Sequence, residues 1–173
     1  MKVKILPSKT SGEVSAPPSK SFAHRYLIGS VLSRGKCVIK NIADSDDISA
    51  TLSCIEQLGG SVTKDGNIVT VISTNEKQIE NAFFDCKESG STLRFFIPVV
   101  LATGAKNCTF LGSERLLARG IKEYEKLFEN SDIKINSDKK SIEVNGKLTS
   151  GNYEISGEVS SQYTCLLYTS DAA

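Results

Sequence analysis

An internal repeat narrows the possible folds of this chain more than any other feature. Arg25-Tyr26-Leu27-Ile28-Gly29-Ser30-Val31-Leu32-Ser33-Arg34-Gly35 aligns without a gap against Arg94-Phe95-Phe96-Ile97-Pro98-Val99-Val100-Leu101-Ala102-Thr103-Gly104, 69 positions further on. Each copy is apolar, long enough for a helix, and ends at a glycine suited to a left-handed C-cap. A short β-like run follows each: Cys37-Val38-Ile39 in one, Cys108-Thr109-Phe110 in the other. A second helical pattern comes next, with Ile48, Leu52, Ile55 and Leu58 in the first copy and Leu117, Ile121, Tyr124 and Phe128 in the second, spaced so that one face seeks a core. Both copies then alternate about a polar turn. Ser61 to Lys64 and Ile68 to Val71 flank Asp65-Gly66, and Asp132 to Ile135 and Ile142 to Val144 flank Ser137-Asp138, which predicts two β-hairpins.

Short β-like runs lead into the later helices, Ala82-Phe83-Phe84 before Gly90 and Tyr153-Glu154-Ile155 before Ser160, so the repeating order is β-α-β-α-β-β and the class is α/β. A third unit opens at Ser160-Ser161-Gln162, with Ser161 in the place of Ser21 and Gly90, but few residues remain before Ala173. Units of this kind bury their apolar faces only against neighbours, so a fragment is expected. The domain reading follows: residues 1–16 as opening strands of a domain completed elsewhere, 17–167 as a partial substrate-binding domain, and 168–173 as a foreign tail. Within 17–167, repeat one runs over about 17–85, repeat two over about 86–155, and the stub of repeat three starts at about 156. Tyr168-Thr169-Ser170-Asp171-Ala172-Ala173 abandons the apolar pattern begun by Cys165-Leu166-Leu167.

Composition removes several function classes. With 21 basic and 20 acidic residues and no basic stripe, nucleic acid and anionic membranes are not expected partners. No apolar stretch approaches the roughly 18 residues of a membrane span, and Met1 to Pro7 lacks a signal-peptide core, so a cytosolic protein is expected. The five cysteines, Cys37, Cys54, Cys86, Cys108 and Cys165, form no CxxC pair and read as reduced, mostly buried thiols. A metal centre or a Ser-His-Asp triad would have to be built around the single histidine, His24.

Anion chemistry remains. Pro17-Pro18-Ser19-Lys20-Ser21-Phe22-Ala23-His24-Arg25 sets a rigid Pro pair before a helix whose first turn carries free N–H groups, hydroxyls and Lys20, with Arg25 a turn later. Capping by Ser19 or Ser21, with the cations in solvent, explains one such stretch equally well. The pattern recurs, however. Glu88-Ser89-Gly90-Ser91-Thr92-Leu93-Arg94 opens the second copy with a glycine, hydroxyls and an arginine at the Arg25 position, and Ser160-Ser161-Gln162 opens the third. If the repeats pack about a common axis, the helix starts converge on one ligand bearing phosphate or carboxylate. No GxGxxG or GxxxxGK[ST] loop is present, which disfavours dinucleotides and P-loop nucleotides. Asp44-Ser45-Asp46-Asp47 reads as a helix start rather than a metal cluster, and Glu114-Arg115-Leu116-Leu117-Ala118-Arg119 reads on spacing alone as a solvated face.

Pro18-Ser19-Lys20-Ser21-Phe22-Ala23-His24-Arg25 resembles the PGSKS-x-x-x-R signature of 5-enolpyruvylshikimate-3-phosphate synthases. Asp44 to Asp47, Ser89 to Arg94, Gly112-Ser113-Glu114-Arg115 through Arg119, and Gly157-Glu158-Val159-Ser160-Ser161-Gln162 are similar to that family's successive motifs, in order, covering residues 1 to 167. The resemblance implies the enolpyruvyl transferase fold, an inside-out α/β barrel of repeated β-α-β-α-β-β units. It implies a monomer that moves the enolpyruvyl group of phosphoenolpyruvate to the 5-hydroxyl of shikimate 3-phosphate, releasing phosphate through a tetrahedral intermediate without metal or organic cofactor. By resemblance, Lys20, Ser21, Arg25, Ser160, Ser161 and Gln162 bind shikimate 3-phosphate. Lys20, Gly90, Arg119 and Gln162 line the phosphoenolpyruvate site, where the herbicide glyphosate competes, and Arg94 and Arg115 stand behind as supports. The acid and base groups are expected beyond Ala173, so this chain alone is expected not to turn over.

Pro17-Pro18 replaces Pro-Gly, Ser91-Thr92 replaces Thr-Ala or Thr-Thr, and Gly120 replaces the usual proline after Arg119. The sibling transferase acting on UDP-N-acetylglucosamine is disfavoured, since it has an asparagine after the N-terminal lysine and a loop cysteine, whereas Ser21 stands here and no cysteine lies between Leu111 and Gly120. A non-catalytic anion- or protein-binding repeat module is the other reading.

Overall fold

The structure, a computed structural model, describes residues 3, 4, 6, 7, 9, 11–33, 35–73, 79–104 and 106–165. Unit one runs α1 (Lys20–Leu32), β1 (Gly35–Ile39), α2 (Asp46–Gln57), β2 (Ser61–Asp65) and β3 (Ile68–Ser73). Unit two runs β4 (Phe83–Asp85), α3 (Gly90–Thr103), β5 (Cys108–Leu111), α4 (Glu114–Arg119), α5 (Lys122–Phe128), β6 (Lys134–Ser137) and β7 (Ser141–Asn145). Both hairpins form as their alternation requires, β2 antiparallel to β3 and β6 antiparallel to β7. Each unit has its own sheet, ordered β1-β3-β2 and β4-β5-β7-β6, with β4 parallel to β5.

The helices pack between these sheets because their sequences leave no alternative place for the apolar faces. α2 carries acids in its first turn, where they favour the helix start, and Ser45 caps it by accepting from the Ile48 N–H. It buries Ile48, Cys54 and Ile55 and bridges the units, resting on α1 behind and on β4 and α3 ahead. α3 is the centre of the described structure. Phe96 lies 6.0 Å from Phe84, which stacks on Phe110 at 5.0 Å, so helix and sheet of unit two share one aromatic cluster. Pro98 sits inside α3 and has no N–H to offer the Arg94 carbonyl four residues earlier. The buried Tyr124 hydroxyl donates to that carbonyl at 2.9 Å, so α5 repairs what the proline removes.

Three expectations need correction. The left-handed glycine cap holds at Gly104 (φ 71°) but not at Gly35. α1 ends at Ser33, whose hydroxyl turns back to the Ser30 carbonyl, and Gly35 instead opens β1 at φ 119°. The helix expected through Leu117, Ile121, Tyr124 and Phe128 is broken by Gly120, whose φ of 66° with an extended ψ departs from helix, although all four apolar side chains are buried. Tyr153-Glu154-Ile155 is not a strand. The parallel partner of β4 follows α3, so the partner of 153–155 would follow the helical turn at 161–165, outside the described residues. None of the described residues before Lys20 lies in a strand, and the segment 168–173 lies outside the described residues. Among the described residues no helix is long and apolar enough to cross a membrane.

Candidate functional site

Three serines begin the site. Ser19, Ser89 and Ser160 stand just before the three helix starts, and each hydroxyl accepts a backbone N–H, from Phe22, Thr92 and Gln162 respectively. Lys20 and Gly90 are thus the first residues of α1 and α3, and Ser161 opens the turn over 161–165. N–H groups of a first turn that remain free favour anions, and the two long helices bring two such ends to the same side.

Packing joins these ends. Buried Phe95 of α3 receives the edge of His24 at 6.4 Å and the guanidinium of Arg25 at 5.1 Å, both from α1. Arg25 also donates from Nε to Cys165 Sγ at 3.2 Å and from Nη1 to the Ser21 carbonyl at 2.8 Å, which links α1 to the third unit. Arg94 repeats the geometry one unit later. Its guanidinium lies 5.2 Å from the Tyr163 ring and donates to Gln162 Oε1 at 2.8 Å. Gln162 Nε2 then donates to Ser91 Oγ at 2.9 Å, so both ends of this amide are fixed to the start of α3. Tyr124 closes the junction, lying edge-on to Tyr163 at 4.9 Å, and burial with the neighbouring Tyr163 holds its hydroxyl protonated by raising its pKa.

Gly90 keeps open ground between cations. A side-chain carbon added there would lie 3.6 Å from Arg94 Nη1 and 4.0 Å from Arg119 Nη1, distances of ordinary contact, so neither the backbone nor the space demands glycine, and the missing side chain leaves the ground between the two cations clear. Arg119 ends α4 and is exposed, as is Arg115. Gly90, Ser91, Arg94, Arg119 and Gln162 therefore form one group. Lys20 turns elsewhere, to Asp47 Oδ2 at 2.5 Å, and the two side chains are 55% and 26% exposed. This ion pair is worth under about 1 kcal/mol and is easily exchanged for another anion. Ser21 and Ser161 are exposed, with Ser21 contributing its carbonyl to Arg25.

Beneath the surface group runs a buried polar chain that pattern reasoning missed. His24 Nδ1 lies 2.8 Å from Thr51 Oγ1, Thr51 Oγ1 lies 2.8 Å from Thr92 Oγ1, and Thr92 Oγ1 donates to Ser89 Oγ at 2.7 Å. It ties the starts of α1, α2 and α3 together. Burial lowers the His24 pKa to about 4, with Lys20 and Arg25 adding to the effect and the Asp47 carboxylate opposing it. The available signal was a threonine, Thr51, among Ile48, Leu52 and Ile55 on the apolar face of α2.

Residues 6–170 match the family model described as EPSP synthase (3-phosphoshikimate 1-carboxyvinyltransferase). A 3-phosphoshikimate 1-carboxyvinyltransferase of Clostridium novyi is 39% identical over 179 aligned positions, covering 96% of this chain and 41% of the relative. That of Clostridium kluyveri is 40% identical over 169 positions, 96% of this chain and 39% of the relative. The chain thus spans about two fifths of the length of the curated relatives it matches. An EPSP synthase from Acinetobacter baumannii superposes with a TM-score of 0.68 at 17% identity, over 90% of this chain and 37% of that one, a likeness of fold.

Proposed function

Since this chain belongs to the EPSP synthase (3-phosphoshikimate 1-carboxyvinyltransferase) family, we propose that it carries one substrate-binding face for transfer of the enolpyruvyl group from phosphoenolpyruvate to the 5-hydroxyl of shikimate 3-phosphate. The single observation that supports this most is the fixed Gln162 amide between Arg94 and Ser91, beside the open ground of Gly90 and the exposed Arg119. Such a group suits a small molecule with phosphate and carboxylate, since planar guanidinium forks and helix N–H groups pair with both. On this reading Lys20, Ser21, Arg25, Ser160, Ser161 and Gln162 hold shikimate 3-phosphate. Lys20, Gly90, Arg119 and Gln162 hold phosphoenolpyruvate, and Lys20 leaves Asp47 to reach its substrates.

In the transfer, charge builds on phosphate as it departs, and cations already in place stabilise it without reorganising. Proton transfer needs a group of suitable pKa. His24 is buried and held neutral, so we assign that step to residues beyond this chain, and the chain alone binds but does not turn over. We place the full-length enzyme in the cytosol as a monomer.

Calorimetric titration of this chain tests the reading. Shikimate 3-phosphate binds saturably, phosphoenolpyruvate binds only in its presence, and Arg25→Ala and Gln162→Ala each weaken the first step at least tenfold. Phosphoenolpyruvate binding that ignores shikimate 3-phosphate would favour a general anion-binding module, and phosphate release by the chain alone would refute the assignment of proton transfer elsewhere.

A further inference from the structure

Unit two fills a position that unit one leaves open. β4 lies parallel along β5, from Phe83 opposite Thr109 to Asp85 opposite Leu111, and inserts Phe84 between Phe96 and Phe110. The counterpart of β5 in unit one is β1, which pairs with β3 along one edge. Among the described residues, nothing pairs with its other edge. The repeat offset places Val14-Ser15-Ala16 where β4 would lie, but these residues are in no strand and Val14 is 95% exposed.

The open edge is apolar as well as unpaired. Pro18, Phe22, Tyr26, Ile39 and Ile42 line a groove of about 230 Å³ beside it. Phe22 and Tyr26, stacked at 6.1 Å, are both 61% exposed, whereas Phe95, the counterpart of Tyr26, is buried. Exposed Lys36 and Lys40 flank the edge, where they oppose pairing with a basic or neutral strand and favour an acidic one. The curated relatives carry about three fifths of their length outside the part matched here. We propose that β1 and its groove accept a β-strand in parallel register, apolar at alternate positions and acidic at its flanks, supplied by the polypeptide that completes the fold in the longer relatives. Backbone bonds along the edge give affinity and the groove selects the side chain, as β4 does on β5.

The test mixes this chain with a separately expressed polypeptide of the Clostridium novyi relative lacking the matched part, and follows amide hydrogen exchange and sedimentation. A one-to-one complex forms, and amides of Gly35–Ile39 that exchange quickly in the chain alone slow at least tenfold. The double variant Phe22→Glu/Tyr26→Glu, altered at two exposed side chains, keeps its thermal midpoint and loses both effects. Failure to associate, or association that leaves β1 exchange unchanged, overturns the proposal. So does protection of β1 in the chain alone, whether by its own residues 13–16 or by a second copy.

Discussion

α1 and α3 occupy the same slot of the repeat but live in different surroundings. Nine of the fourteen residues of α3 are buried, against six of thirteen in α1. The aligned pairs show where the difference arises: Tyr26 is exposed while Phe95 is covered by His24 and Arg25, and Gly29 is exposed while Pro98 is buried and compensated by Tyr124. α3 has α1 and α2 on one side and its own sheet on the other, whereas α1 has a neighbouring unit on one flank only. Place in the array, more than the helix's own residues, decides how much apolar surface leaves water. The two helix starts differ accordingly, with the start of α3 fixed by the third unit through Gln162 and the start of α1 fixed by a surface ion pair.

The largest test of this contrast is truncation of one aromatic on each helix. Phe96→Ala removes a fully buried ring from the cluster with Phe84 and should cost about 3–5 kcal/mol, while Tyr26→Ala should stay within about 0.5 kcal/mol. Urea unfolding measures both. Similar losses would mean that the exposed face of α1 is already covered in the chain alone, which would count against an occupant supplied from outside it.

The repeat, both hairpins and most of the core were legible in the sequence because they rest on local periodicity, which one chain segment displays by itself. Gly120 as a helix break was visible as a residue but not as a geometry, since a glycine within an apolar helical pattern is often tolerated. The site divides along the same line. Gly90, Arg94 and Gln162 fall together because they sit at or within about a turn of helix starts that the pattern marks, whereas Arg119 becomes a helix end only through the break at Gly120 that spacing did not show. The Lys20–Asp47 pair, the Tyr124 bond to Arg94 and the His24–Thr51–Thr92–Ser89 chain each join residues from different elements, and no spacing announces a hydrogen bond across units.

The next effect comes from pH. His24 aligns with buried Leu93 in the second unit, so unit one holds a titratable ring where unit two holds a hydrocarbon. The folded pKa of about 4 lies below the ordinary 6.5, so the unfolded chain binds the proton first. Stability from this group is therefore whole above about pH 6.5, declines as pH falls toward 4, and levels off below. Between pH 7 and pH 5, above most carboxylate titration, the loss should be about 2 kcal/mol. His24→Gln should flatten that dependence, as shown by urea midpoints at the two pH values. An equal slope in the variant would assign the acid sensitivity to other groups.

The smallest effect separates the two caps. Ser19 is exposed and accepts one N–H, from Phe22 at 3.4 Å, so water replaces it readily. Ser89 is 1% exposed and accepts both the Thr92 N–H at 3.2 Å and the Thr92 hydroxyl at 2.7 Å. Ser19→Ala should cost about 0.5 kcal/mol and Ser89→Ala about 2 kcal/mol, because the second leaves the buried Thr92 N–H without its cap and takes one acceptor from the Thr92 hydroxyl. Ser89→Thr, which keeps the oxygen, should recover part of the loss. The difference reaches the third unit as well, since a frayed α3 start would release Ser91 from Gln162. Thermal midpoints give the two costs, and equal costs would show that the buried chain beneath α3 adds nothing beyond an ordinary cap.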